Sequence, residues 1–203
     1  MPIVKPHTRR MKLADKVTAT RLVLAPFFLL VYFLPKWFTL PAVWTVPVLW
    51  VLLVIAEITD LLDGHIARAR NEVSDFGKLF DPFSDTLVRI TYFLCFVADG
   101  ILPVVLFAVV LYREFGILFL RTLMMRMGIA MGARSGGKVK AVAYMLTGVG
   151  ALVASSLVRL GASVEAFSVA RMVAIGLFAV SVFFSLSSFV DYYRVFKSAR
   201  SDS

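Results

Sequence analysis

Apolar residues in this chain run in blocks too long for the alternation of a strand or the single stripe of an amphipathic helix. Trp37–Ala56, Ala141–Val158 and Met172–Val190 carry no charge and approach the ~20 residues a helix needs to cross a bilayer. Leu22–Pro35 is shorter, and reaches that length if its helix begins near Val17 with Arg21 at its base. Two further blocks are interrupted by charge: Leu79–Ala98 by Asp81, Asp85 and Arg89, and Gly100–Arg121 by Arg113 and Glu114. Turns are expected at Pro35–Pro41, Asp99–Pro103 and Arg159–Glu165, and a tight one at Arg70–Lys78, with Asn71 and Gly77. Ahead of the first block, Arg9–Lys16 mixes basic residues with Met11, Leu13 and Ala14, as a helix lying in a membrane interface does. The pattern predicts an all-α integral membrane protein: six transmembrane helices plus a short N-terminal interfacial helix, in a single domain over residues 1–203, without internal repeats.

Composition removes the alternatives. The chain is 60% hydrophobic and 17% charged, with a mean hydropathy of +0.84, against ~45–50% and ~25% in soluble domains. A soluble core of this size would lack polar surface to cover it, and the apolar blocks are too long for barrel strands. The net charge of +9 is concentrated in four places. Lys5 to Arg21 open the first span, and Arg68, Arg70 and Lys78 follow the second. Arg121 to Lys140 lie between the fourth and fifth, and Arg194, Lys197 and Arg200 follow the sixth. Clusters that alternate with sparsely charged connections follow the positive-inside rule and attract anionic lipid; they are not a nucleic-acid footprint. An even number of spans then puts both termini and the basic clusters in the cytoplasm, in a multi-pass protein of the inner (cytoplasmic) membrane. No small-residue cleavage site follows Leu34, so the first span is expected to be a retained anchor. The one cysteine, Cys95, excludes a disulfide framework.

The informative residues are those that hydropathy should have excluded. An ionisable side chain at a helix centre costs roughly 2.5–3.5 kcal/mol on insertion scales, so Glu57, Asp60, Asp63, Asp81, Asp85, Arg89, Arg113 and Glu114 call for a function. Asp60 and Asp63 are three apart, Asp81 and Asp85 four, so each pair shares a helix face. An antiparallel helix pair joined at Arg70–Lys78 would gather four carboxylates near the cytosolic interface. Like charges so close raise one another's pKa, and hard divalent cations with oxygen ligands are the natural compensation. An ion network with Arg68, Arg70 and Arg89 is the structural alternative, and it leaves Gly64 unexplained.

The run Asp60-x-x-Asp63-Gly64-x-x-Ala67-Arg68, eight residues, Gly77, three residues, Asp81, three residues, Asp85 resembles the signature of the CDP-alcohol phosphotransferases. The resemblance implies a polar cavity open to the cytosol, two divalent ions (Mg2+ or Mn2+), and transfer of a phosphatidyl group from CDP-diacylglycerol to an alcohol with release of CMP. It assigns Asp60, Asp63, Asp81 and Asp85 to the metals and makes Asp85 the proton acceptor. It also places Asp63, Gly64, Ala67, Arg68, Ser74 and Gly77 against the donor. Gly64 would allow close approach to the helix backbone, and the Arg68 guanidinium suits a phosphate. Upstream, Asp15-Lys16-Val17-Thr18-Ala-Thr-Arg21 is similar to a family segment, Asn-x-Leu-Thr-x-x-Arg, that closes over the cytidine, with Asp15 in place of Asn; Asp15 and Thr18 join the donor set.

The acceptor is approached through Arg113-Glu114, Arg121 and Gly137-Lys138-Val-Lys140, which resemble the phosphatidylglycerophosphate synthase branch of that family. Such an acceptor, glycerol 3-phosphate, brings its own phosphate and would need Arg113, Arg121, Lys138 and Lys140 beyond the donor set. Ala141 and Thr86 stand where that branch has Thr and Lys, and Ser188-Phe-Val-Asp-Tyr192-Tyr193 echoes its last helix. An inositol-phosphate acceptor would also need a basic pocket and stays open. A homodimer is the family's habit, and membrane lipid is a further partner. The rival class is a transporter, whose carboxylates would sit near the midplane, often within inverted repeats.

Overall fold

The computed structural model describes residues 13–69, 77–128 and 135–201, with side chains described over 18–59, 80–128 and 139–198. All regular structure among them is helical: α1 Leu13–Phe38, α2 Thr45–Ala69, α3 Gly77–Ala98, α4 Val104–Arg126, α5 Ser135–Arg159 and α6 Val164–Ser201. On length and composition α1 (Thr18–Phe38), α5 (Val139–Arg159) and α6 (Val164–Ser198) can cross a membrane, and α2 has a shorter apolar stretch, Thr45–Thr59. α3 and α4 run over similar lengths, but Asp81, Asp85 and Arg89, and Arg113, Glu114 and Arg121, interrupt their apolar character.

The helix bounds differ from the hydropathy blocks at four places. Trp37 and Phe38 end α1 instead of opening the second span, and α2 starts only at Thr45, after a connection around Pro41. The uncharged run 37–56 therefore contains a turn, because hydropathy cannot separate an apolar connection from an apolar helix. Gly100–Pro103 are a turn, and α4 starts at Val104. α6 begins at Val164 and runs on to Ser201, 38 residues in all. Of the expected interfacial helix, residues 9–12 lie outside the described residues, and Leu13–Lys16 form the first turn of α1 without a break.

Cross-contacts define the directions. Thr18 meets Asp81 near the starts of α1 and α3, and Lys36 meets Asp99 at their ends, so these helices run parallel with α2 antiparallel beside them. α5 and α6 form the most extensive pair, antiparallel, with Thr147 on Ser181 and Tyr144 on Ser185. Gly150 allows this closeness: a Cβ there would lie 3.1 Å from Leu177 Cδ1. Gly161, at φ +71°, ends α5 in the left-handed conformation and turns the chain into α6.

The exterior, not the core, is the reverse of a soluble protein's. Thr18, Arg21, Ser84, Thr86, Arg89, Arg113, Glu114, Thr147, Ser181, Ser185 and Ser188 are buried, around an apolar core that includes Tyr32, Leu49, Phe93, Phe96, Leu152 and Phe178. Val23, Phe27 and Leu30 of α1, Val51, Val54, Ile55 and Ile58 of α2, Phe115 and Phe119 of α4, and Phe183, Leu186 and Val190 of α6 face outward. An apolar exterior around polar groups suits lipid as the surrounding solvent. This is a helical membrane protein.

Candidate active site

α3 begins at Gly77, so Asp81 and Asp85 fall in its second and third turns, one turn apart. Both are half-buried. Thr18 Oγ1 donates to Asp81 Oδ1 at 2.7 Å, which ties the start of α1 to this end of α3. Asp85 is held from within its own helix: Arg89 Nη1 donates to Oδ2 at 3.0 Å and Nη2 to Oδ1 at 2.6 Å. Such a bidentate pair fixes the carboxylate plane. Each oxygen keeps a second lone pair for another partner. Arg89 itself is 4% exposed, with its guanidinium 5.0 Å from the centroid of the Tyr144 ring.

Between α1, α2 and α3 a small cavity is lined by Arg21, Glu57, Asp85, Arg89 and Tyr92. Tyr92 donates to Glu57 Oε1 at 3.4 Å. Glu57 lies three positions before Asp60 along α2.

A second cluster joins α4, α5 and α6. Arg113 donates from Nη1 to Glu114 Oε1 at 2.9 Å, from Nε to Ser185 O at 3.0 Å and from Nη2 to Ser188 Oγ at 3.1 Å. Lys140 Nζ bonds both oxygens of the same Glu114, at 2.9 and 3.3 Å, and lies 5.2 Å from the Tyr144 ring. Arg113 and Glu114 are 5% and 3% exposed. Neighbouring helix positions point about 100° apart, which argues against an Arg113–Glu114 contact on spacing alone. The long stems overcome that angle, because burial leaves the charges no water as an alternative. Two cations thus share one carboxylate and leave a surplus positive charge beside Asp85–Arg89. Arg121, further along α4, donates to Tyr192 Oη at 2.9 Å.

The structure therefore brings Thr18, Asp81 and Asp85 together on one side, and Arg113 with Lys140 on the other, joined through Arg89 and Tyr144. Backbone bounds put Asp15 on α1; Asp60, Asp63, Gly64, Ala67 and Arg68 on the stretch of α2 from Asp60 to Ala69; Gly77 at the start of α3; and Lys138 on α5. Their side-chain placements, and Ser74 as a whole, lie outside the described residues. Among the described residues no three acidic, histidine or cysteine side chains form a metal cluster. Asp81 and Asp85 offer only oxygen, which suits a hard divalent cation.

Four contributors were missed by sequence reasoning: Tyr144, Ser181, Ser185 and the pairing of Arg121 with Tyr192. A signal existed. Ser181, Ser185, Ser188 and Tyr192 follow one another at spacings of four, three and four along an apolar helix, a polar stripe at helical period.

Residues 11–186 match the sequence pattern of a family described as CDP-alcohol phosphatidyltransferase. A protein of Treponema pallidum (strain Nichols), named CDP-diacylglycerol–glycerol-3-phosphate 3-phosphatidyltransferase, is 39% identical over 200 residues, covering 92% of this chain and 89% of that protein. A Bacillus subtilis (strain 168) protein of the same name is 30% identical over 140 residues, 66% of this chain and 72% of its own length. A shorter match, 34% over 76 residues, links 37% of this chain to 39% of a Rickettsia typhi protein that also carries the name. With the aspartates of α2 and α3 inside the matched region, the chain belongs to the CDP-alcohol phosphatidyltransferase family.

Proposed function

We propose that this protein transfers the phosphatidyl group of CDP-diacylglycerol to sn-glycerol 3-phosphate, forming phosphatidylglycerophosphate and CMP. The observation that carries the acceptor is the near full-length similarity to the Treponema protein of that name. The surplus cation around Glu114 supports it, since a dianionic acceptor phosphate offsets that buried charge through charge-assisted hydrogen bonds. A neutral acceptor such as serine would leave it uncompensated.

In this reading Asp60, Asp63, Asp81 and Asp85 hold two divalent ions, magnesium or manganese. When bound, these neutralise the donor pyrophosphate and stabilise charge on the leaving CMP. The chain's own residues do the rest. Thr18 orients Asp81. Asp15, Gly64, Ala67, Arg68, Ser74 and Gly77 receive the donor. Arg113, Arg121, Lys138 and Lys140 receive the acceptor phosphate and present its primary hydroxyl to the phosphorus that bears diacylglycerol. As the new P–O bond forms, the bond from that phosphorus to the oxygen bridging to CMP breaks, CMP departs with the electron pair, and Asp85 takes the hydroxyl proton. The protein acts as a single domain, multi-pass in the cytoplasmic membrane, with both termini and the aspartates on the cytosolic side.

The purified chain in detergent, supplied with CDP-diacylglycerol, should release CMP with glycerol 3-phosphate and little with glycerol or serine. Chelation should abolish release, with magnesium or manganese restoring it, and Asp85→Asn should be inactive while folded. Arg113→Ala and Lys138→Ala should raise the KM for glycerol 3-phosphate and leave that for the donor near its original value. CMP release with inositol 3-phosphate but not with glycerol 3-phosphate would reject the acceptor.

A further inference from the structure

A cavity of about 550 Å3 opens at the end of the bundle away from the aspartates, lined by residues that include Pro35, Lys36, Asp99, Ile101, Arg159 and Phe167. The eighteen positions from Thr18 to Lys36 rise roughly 27 Å along α1, about the thickness of a bilayer's hydrocarbon core, so this cavity and the Asp81 end lie at opposite membrane faces. Nothing in the phosphatidyl-transfer reaction uses it.

Its polar half is held in place. Asp99 forms an ion pair with Lys36 and accepts a hydrogen bond from the Tyr32 hydroxyl at 2.8 Å. Arg159 is different: among the described residues it pairs with no carboxylate. Its Nε donates to Ser155 Oγ at 3.1 Å, Nη1 to Thr45 Oγ1 at 2.8 Å and Nη2 to Tyr32 O at 3.1 Å, with the guanidinium 4.3 Å from the Tyr32 ring centroid. Five N–H groups belong to a guanidinium; three are used in anchoring it, all on neutral acceptors. The positive-inside rule gives no reason for a fixed cation on this sparsely charged side. The other half of the lining is apolar and continues into exposed Trp37, Phe38, Leu40 and Val158 at the same end.

We propose that this cavity binds the phosphate of an anionic phospholipid in the leaflet opposite the active site, Arg159 taking the phosphate and the Pro35, Ile101 and Phe167 wall taking the start of the acyl chains. A guanidinium with two free N–H groups suits phosphate oxygens. The apolar wall favours a lipid over a free anion.

Native mass spectrometry of the full chain in neutral detergent tests this, with phosphatidylglycerol, phosphatidylcholine or inorganic phosphate added in turn. The wild type should retain phosphatidylglycerol at least fivefold over phosphatidylcholine and show no adduct with inorganic phosphate. Arg159→Gln should lose that preference. Because Arg159 also ties α1, α2 and α5 together, Ala42→Trp is the second variant: it fills the cavity mouth with every Arg159 bond intact, and should lose the retained lipid at least fivefold. Unchanged retention in Ala42→Trp, or retention of inorganic phosphate in place of lipid, would overturn the proposal.

Discussion

Asp85 and Glu114 show at the scale of single residues how buried charge is managed here. Asp85 depends on Arg89 for its orientation, and Arg89 is itself fixed between Asp85 and Tyr144. Arg89→Gln should lower kcat about 100-fold, the scale of a displacement near 1 Å at a reacting group, with both KM values within about twofold. Arg89→Lys should recover part of it. A parallel loss of donor affinity in steady-state kinetics would place Arg89 in substrate binding instead of positioning. Glu114 is the carboxylate shared by Arg113 and Lys140, so Glu114→Gln leaves two buried cations facing each other. Breaking a buried pair in this way costs about 3–5 kcal/mol. Thermal unfolding in detergent should show a clear loss for Glu114→Gln and none for Asp191→Asn, whose 3.9 Å contact with Arg194 is exposed. An unchanged midpoint in Glu114→Gln would mean that the cluster does not hold α4 to α5.

At the scale of elements, α6 is the spine of the basic cluster of the proposed site. Its polar stripe takes up Thr147, Tyr144, Arg113 and Arg121 in order, which sets the registers of α4 and α5 against it. Those registers require α5 and α6 to lie close, and at Gly150 a side chain would meet α6, with Ala174 Cα 3.6 Å and Leu177 Cδ1 3.1 Å from where its Cβ would lie. Gly150→Leu should destabilise by about 1–3 kcal/mol, the range for overpacking, and should also raise the KM for glycerol 3-phosphate by shifting Lys140. Gly176→Leu, on α6 with nothing within 4 Å, is the control and should change neither. Equal effects of the two substitutions on the unfolding midpoint would show that helix composition, not the α5–α6 contact, is responsible.

For the whole molecule, the two ends of the bundle are chemically distinct: Asp81, Asp85, Arg89 and Arg21 at one, the cavity of Lys36, Asp99 and Arg159 at the other. With Cys95→Ala as background, a cysteine at Ala162, in the exposed turn between α5 and α6, should react with a membrane-impermeant maleimide in intact cells. One at Ser198, near the end of α6, should react only after permeabilisation. The reverse labelling would invert the molecule and place the aspartates outside the cytosol.

The order of helices, the membrane as solvent and the aspartate signature were legible in the chain itself. Each depends on local spacing: long uncharged runs, basic clusters between them, and carboxylates at intervals of three and four. The connection at 39–44 was not legible, because Trp37 to Ala56 is apolar throughout and only backbone geometry separates its turn from its helix. Nor was the partner of Arg113. Spacing argued Glu114 away from it, whereas the burial of both side chains among α4, α5 and α6 removed water as an alternative and drew them together. The same holds for Arg159 with Tyr32 and Thr45, 127 and 114 positions away in sequence. Sequence alone determined which residues had to leave water; the tertiary structure decided which of them met, since a buried charge takes whichever partner the packing of distant helices brings within reach.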